Sequence, residues 1–375
     1  MYIHLLTVYY ILRDQSTEKE NFTMSYMDGM AAFNLEMPDK VPRTEYSAEI
    51  HWELIRAVTG IEVDSKSSSA LQEEARRQFY KAWDYGFSWN VCIHAPALDK
   101  CRTKMGHANY EADGSDYSNE IFCPFEDPED AFDFRPIEVY GKLDHQKLVE
   151  DFNADYEMRK RLCPDAVNTT GIYITLVSGL LEIFGWDMML QALGIDAKAF
   201  GETANRYTEW IQQYFNALAD CDAPIVKIHD DIVWTSGAFV QPAWYREFVF
   251  PNYKKLFAPL REAGKKIIYT SDGTYTEFVD DIADCGVSGF VLEPTTDMKY
   301  IAEKYGRTHS FVGNADTRIL LNGTKEDIYN EVKRCMDIGK NCPGFFMAVG
   351  NHIPPNTPVE NCLYYNEVFE KLRKR

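Results

Sequence analysis

The chain has 375 residues, 45% of them hydrophobic, and a formal net charge of −19. That apolar fraction suffices for a large core, while the charge repels nucleic acid and anionic membranes and disfavours a polyphosphate-binding role. No run of about 18 uninterrupted apolar residues is present, so no membrane span is expected, and nine scattered cysteines without a CxxC pair point to free thiols in a reducing cytoplasm.

From the start of the chain, Tyr2–Leu12 is apolar but lacks a preceding basic region and a cleavage site, so a secretory signal is not expected. Residues 1–23 are expected to form a tail, with one domain from Met24 to residue 375. Apolar residues at three-to-four spacing predict helices over Glu45–Thr59 and Ser68–Tyr85. The pattern then changes. Short β-rich runs occur at Ser88–His94, Val167–Ile174, Ile225–Ile232, Lys266–Ser271, Gly289–Leu292, His309–Gly313 and Gly344–Val349. Amphipathic stretches separate them, among them Asp144–Leu162, Ala197–Ala219, Pro242–Ala263, Tyr275–Ala283, Lys325–Ile338 and Pro358–Arg373. Strands alternating with helices imply parallel strands and right-handed crossovers.

Seven strands are visible, and the eighth is expected in Ile137–Lys142 or an irregular segment. A closed (β/α)8 TIM barrel, with an N-terminal helical segment and a long insertion after the first strand, is the economical α/β solution. The alternative is an open doubly wound sheet, but no GxGxxG or Walker loop follows any strand. Residues 95–143, poor in helix signals, are expected to form an excursion or lid over the barrel mouth.

In such a barrel, functional side chains sit at the carboxyl ends of the strands. Here the expected strand ends carry Ile228-His229-Asp230-Asp231, Tyr269-Thr270-Ser271-Asp272-Gly273, Leu292-Glu293-Pro294, Gly313-Asn314-Ala315-Asp316 and Gly350-Asn351-His352. Five consecutive strands thus deliver carboxylates, amides or imidazoles to one rim. Such groups can hold a divalent metal or act as acid and base. Glu293, His352 and Asp272 form a three-ligand set that would suit zinc with one position open. Aspartates in such places also cap the following helices, a role considered for Asp231 and Asp272. Trp89, Tyr173, Trp234, Tyr269 and Phe346, on or beside strands, are candidate pocket aromatics. His51 and His145 are expected at the surface.

The stretch Asp230-Asp231-Ile232-Val233-Trp234-Thr235-Ser236-Gly237, the following Pro242-Ala243-Trp244-Tyr245-Arg246-Glu247-Phe248-Val249-Phe250-Pro251-Asn252-Tyr253, and the closing Gly350-Asn351-His352-Ile353-Pro354-Pro355-Asn356-Thr357-Pro358-Val359-Glu360-Asn361 resemble the uroporphyrinogen-decarboxylase superfamily. The resemblance runs from about Val41 to the carboxyl end and implies an α/β barrel. The decarboxylases of that superfamily carry an arginine-rich amino-terminal motif for a substrate with eight carboxylates. Here Val41-Pro42-Arg43-Thr44-Glu45-Tyr46 offers one arginine beside an acid, a poor receptor for so many charges.

The superfamily's corrinoid-linked methyltransferases hold zinc with a His-x-Cys pair and a later cysteine. The matching positions here are Tyr269, Ser271 and Asn351, so the thiolate site is missing and an oxygen- and nitrogen-rich set remains. The resemblance therefore implies transfer of a methyl group from a methoxylated or otherwise methylated small substrate to cobalamin on a partner corrinoid protein. His229, Asp230, Asp231, Tyr269 and Asp272 are the expected catalytic residues, and Arg43, Trp234, Asn314 and Asn351 the expected substrate contacts. The alternative is a carboxy-lyase for a small organic acid, with Asp230 or Asp231 handling the proton and Arg43 anchoring the acid.

Overall fold

The computed structural model describes residues 23–104 and 122–375. Its strands are short and parallel, apart from one hairpin: β1 Phe87–Ser88, β2 Val167–Asn168, β3 Thr170–Ile172, β4 Ile225–His229, the antiparallel pair β5 Val233–Trp234 and β6 Gly237–Ala238, then β7 Lys266–Thr270, β8 Gly289–Val291, β9 Ser310–Val312 and β10 Phe345–Phe346. β1 pairs with β2, and β3 continues the same run into the order β3-β4-β7-β8-β9-β10. The ends of this ladder meet at Arg43, whose backbone bridges Tyr85 on one side and Met347 on the other, both in parallel. Thr44 N donates to Met347 O at 3.0 Å, Met347 N to Pro42 O at 2.9 Å and Gly86 N to Arg43 O at 2.9 Å. The ladder therefore runs around a ring of eight positions.

Of the two places expected for the eighth strand, Ile137–Lys142 does not supply it and an irregular segment does. Pro136–Tyr140 is a short helix, with proline suited to its first turn, and the missing position is the segment at Arg43. The long excursion follows β1, as expected, which is the second position of the ring once the segment at Arg43 is counted. Its described parts are the 3-10 turn Ala95–Leu98 and the helices Asp130–Asp133 and Pro136–Tyr140. The middle of the expected lid, like residues 1–22 of the expected tail, lies outside the described residues.

Alternation along the strands sorts the core. Phe87, Val167, Ile225, Ile268, Val291, Val312 and Phe346 fill the ring's interior, joined by Ala32 and Phe33 from the helix Met24–Phe33. Val226, Ile228, Ile267, Tyr269, Phe290, Phe311 and Phe345 belong to the outer cluster shared with the helices. Full burial of each large apolar side chain contributes about 1.5–3 kcal/mol. The longest helical run, Val177–Asp220, leaves helical backbone values at Gly185 and Asp196, so it is a series of helices bent around the ring. No helix among the described residues is long and apolar enough to cross a membrane.

Candidate active site

A cavity of about 280 Å³ opens at the carboxyl ends of the strands. β4 shows how the fold builds it. Its residues alternate inward as Ile225, Lys227 and His229, with the same phase carrying on to Asp231. The register sets His229 beside Thr270 and Thr270 beside Val291. Asp272 and Glu293 then lie one inward step higher, both in the cavity wall.

His229 and Asp231 are buried. His229 Nε2 lies 2.9 Å from Asp231 Oδ1, and that oxygen accepts from Asp272 N at 2.8 Å. Single ligand atoms of His229, Asp231 and Asp272 all fall within 4.8 Å of one another. One imidazole nitrogen with two carboxylate oxygens is a donor set that fits zinc or a similar divalent ion with positions left open.

The expected ligands Glu293 and His352 are engaged differently. Glu293 Oε2 accepts from Gly273 N at 2.9 Å, and its other oxygen accepts from the Asn351 amide. His352 Nδ1 lies 2.5 Å from Ser47 Oγ, with its ring edge-on to Tyr46. Burial first, then the nearby Lys227, hold its imidazole below the usual histidine range. Both side chains line the cavity, as does Asn351. Asp272 alone of the expected metal set belongs to the convergent group.

Other expected site residues fall outside the wall. Asp230, fully buried, accepts from Val177 N at 3.1 Å and Ser178 N at 2.6 Å and from the Tyr253 hydroxyl. It caps the helix that starts at Val177, and burial pushes its carboxyl up to about 6. Tyr269 points outward and donates to Asp230 O at 3.1 Å. Arg43 is enclosed: it pairs with Glu45 at 2.6 Å, bonds Asn366 and lies over the Trp83 ring at 4.3 Å. It is a core residue, which corrects its expected role as a carboxylate anchor. Asn314 is buried, donating to Glu293 O and Thr296 O at 3.1 Å each. Trp234 is half exposed on the β5–β6 hairpin, against Trp186 and Phe239. That hairpin presses on Gly273, where φ is +81° and an added Cβ would come 2.5 Å from Trp234 O, so glycine is required. Of the histidines expected at the surface, His145 is exposed beside Asp220, whereas His51 is buried, its Nδ1 accepting from Leu54 N.

The sequence reading missed Lys227. It is 3% exposed yet lines the cavity. Its ammonium bonds the Tyr46 hydroxyl and lies 4.5 and 4.7 Å from the Tyr46 and Trp89 ring centroids. Burial pushes this amine down to about 7, against the opposing pull of Asp272 and Asp231. Position 171, level with Lys227 on β3, is glycine. A Cβ there would fall 1.9 Å from Lys227 O. The signal was a lysine sharing the phase of Ile225 and His229 in an otherwise apolar strand. Trp89 and Tyr173 line the cavity as the pocket aromatics, while Phe346 lies in the interior cluster.

Residues 175–372, which carry β4, β7 and the rim they build, match the sequence family described as uroporphyrinogen decarboxylase (URO-D). The chain belongs to the URO-D family. Among curated URO-D relatives, the uroporphyrinogen decarboxylase of Thermus thermophilus is 28% identical over 221 residues, 57% of this chain and 62% of that protein. The chain thus spans less than two thirds of that relative's length. The uroporphyrinogen decarboxylase of Geotalea uraniireducens is 24% identical over 276 residues, 68% of this chain and 79% of that protein. Among solved structures, a methyltransferase from Methanosarcina mazei superposes with a TM-score of 0.63 at 19% identity, covering 94% of this chain and 99% of that one. This likeness shows that the URO-D chain shares the α/β-barrel fold.

Proposed function

We propose that this URO-D family member is a methyltransferase that moves a methyl group from a small methylated substrate, such as a methoxy compound, to cobalamin carried by a separate corrinoid protein. The observation that carries this reading is the convergence of His229, Asp231 and Asp272, of which His229 and Asp272 line the cavity. A divalent ion such as zinc held there would supply a Lewis acid for the oxygen that loses its methyl. The chain's own residues do the rest. Asp231 orients the His229 ring through Nε2 and Oδ1. Asn351 and Gly273 fix Glu293 beside the same opening, and Trp89 and Tyr173 wall the substrate from solvent.

The test is metal content followed by methyl transfer. Purified or zinc-reconstituted protein is expected to hold close to one ion per chain, falling sharply in His229→Ala and Asp272→Asn but little in His352→Ala. With reduced cobalamin and a panel of methoxy compounds, the wild type is expected to form methylcobalamin, and the two metal-poor variants to lose at least ~100-fold in rate. Absence of both metal and transfer would sink the proposal and favour a carboxy-lyase. That second reading draws support from the curated relatives, which are uroporphyrinogen decarboxylases. The burial of Arg43 and Asp230 removes the anchor and one of the two proton-handling groups expected for it.

A further inference from the structure

The cavity has two chemically different ends. The carboxylates of Asp272 and Glu293 line the upper inward layer, with Asp231 bonded to His229 beside them. Lys227 lies two alternations below Asp231 and one below His229 on the same strand, and each such step is ~6.6 Å along an extended chain. Around this floor the groups are donors. Besides the Lys227 ammonium, the lining residues Trp89 and Arg159 present buried donors, Nε1 and Nε, that have no acceptor among the described residues, and Thr270 Oγ1, one step higher beside His229, is a third such group. Among the described residues the Lys227 ammonium bonds only Tyr46, and no carboxylate of theirs lies within ion-pair distance of it. Glu49, the one lining acid outside the upper layer, feels Arg159 and Arg76. Buried donors without acceptors are costly in a folded protein and are ordinarily matched by a partner. The Tyr46 and Trp89 rings, with centroids 4.5 Å apart, flank the ammonium and offer apolar faces to a flat group.

We infer that the floor of the cavity is a carboxylate-binding subsite, with Lys227 as the anchoring cation, for a small planar monocarboxylate whose reacting group lies at the opposite end, level with His229 and Asp272. An ammonium pairs with a carboxylate as a compact point charge and gains from charge-assisted hydrogen bonding in a dry site. One alternation of the strand separates anchor from imidazole, a span comparable to a six-membered ring with substituents at opposite corners. The acids at the opening repel a carboxylate from that end, which favours the bound orientation with the carboxylate at the floor. This assignment rests on the reading that the cavity receives the substrate. It does not depend on the metal or on methyl transfer, so its test reads binding alone.

The experiment is calorimetric titration of the full-length protein with benzoate and its neutral isostere benzamide, with acetate and cinnamate as shorter and longer carboxylates. The titrations are repeated on Lys227→Met, with thermal melts to establish that the variant is folded. At least one carboxylate is expected to bind, benzoate about tenfold or more tighter than benzamide. Lys227→Met is expected to lose that preference while keeping its benzamide affinity. If the variant does not fold, the comparison of benzoate with benzamide on the wild type decides by itself. Equal affinity for the two, failure of all three carboxylates to bind at ~10 mM, or unchanged benzoate binding in folded Lys227→Met overturns the assignment. A protein that binds metal and transfers methyl groups but ignores carboxylates would overturn the subsite and leave the methyltransferase reading intact.

Discussion

Arg43 illustrates how a residue's meaning depends on its partner. Its guanidinium is fully enclosed and pairs with Glu45, whose oxygens also accept from Val349 N at 2.9 Å and Tyr365 Oη at 2.8 Å. Arginine and glutamate two apart on an extended segment share a face, so they neutralise each other locally. Arg43→Met leaves the Glu45 carboxylate buried without its cation, at a cost of about 3–5 kcal/mol. A large drop in the urea midpoint should show it, with benzoate affinity unchanged in the folded fraction. A substrate-anchoring arginine would give the reverse pattern, little loss of stability and a large loss of affinity. The sequence displayed both charges, but only the packing of Trp83, Tyr365 and Phe369 around the guanidinium reveals that they face each other.

At the scale of the element, the end of β4 separates two neighbouring aspartates. Asp230 turns outward to cap the helix from Val177, and Asp231 turns inward to His229. Asp230→Ala strips a cap and strands two buried N–H groups, so about 2 kcal/mol of stability should be lost in a denaturant melt while metal content holds. Asp231→Ala should lower metal content and melt nearer to wild type. Most of the fold was legible in the sequence, because β-rich runs alternating with amphipathic ones mark parallel strands, and the rim followed from where those runs end. The phase within each rim was not. Among consecutive polar residues the sequence does not say which one turns inward, so Asp230 and Tyr269 were grouped with Asp231 and Asp272. Lys227 was hidden because lysine in a strand ordinarily reads as solvent-facing. The ring position at Arg43 was hidden because a few residues following a proline, held by isolated bridges, carry no strand signal.

Across the whole molecule, all nine cysteines are free thiols, and six are buried. Burial pushes Cys163, Cys285, Cys335 and Cys362 up to about 12. Since the thiolate is the reactive form, Ellman's reagent at pH 8 should modify no more than the three partly exposed positions, Cys92, Cys101 and Cys123, in the native protein, and all nine after denaturation. Rapid native labelling of more than three would contradict the packing described for the outer core.

The joint at Arg43 also constrains how the chain acquires its shape. Beside the bridge to Met347, Val349 N bonds Glu45 across a separation of 304 residues. Joining such distant segments requires closing a very long loop, whose entropy is lost before its contacts form. During synthesis the segment at Arg43 emerges well before Met347, and one flank of it has no neighbour until the residues between them have followed. Until then the nascent ring has two open edges, at Arg43 and at the latest strand made, each able to pair with another chain. Completion of the barrel is therefore a late event in this protein's biogenesis, and the interval before it is when the chain is most exposed to misassembly.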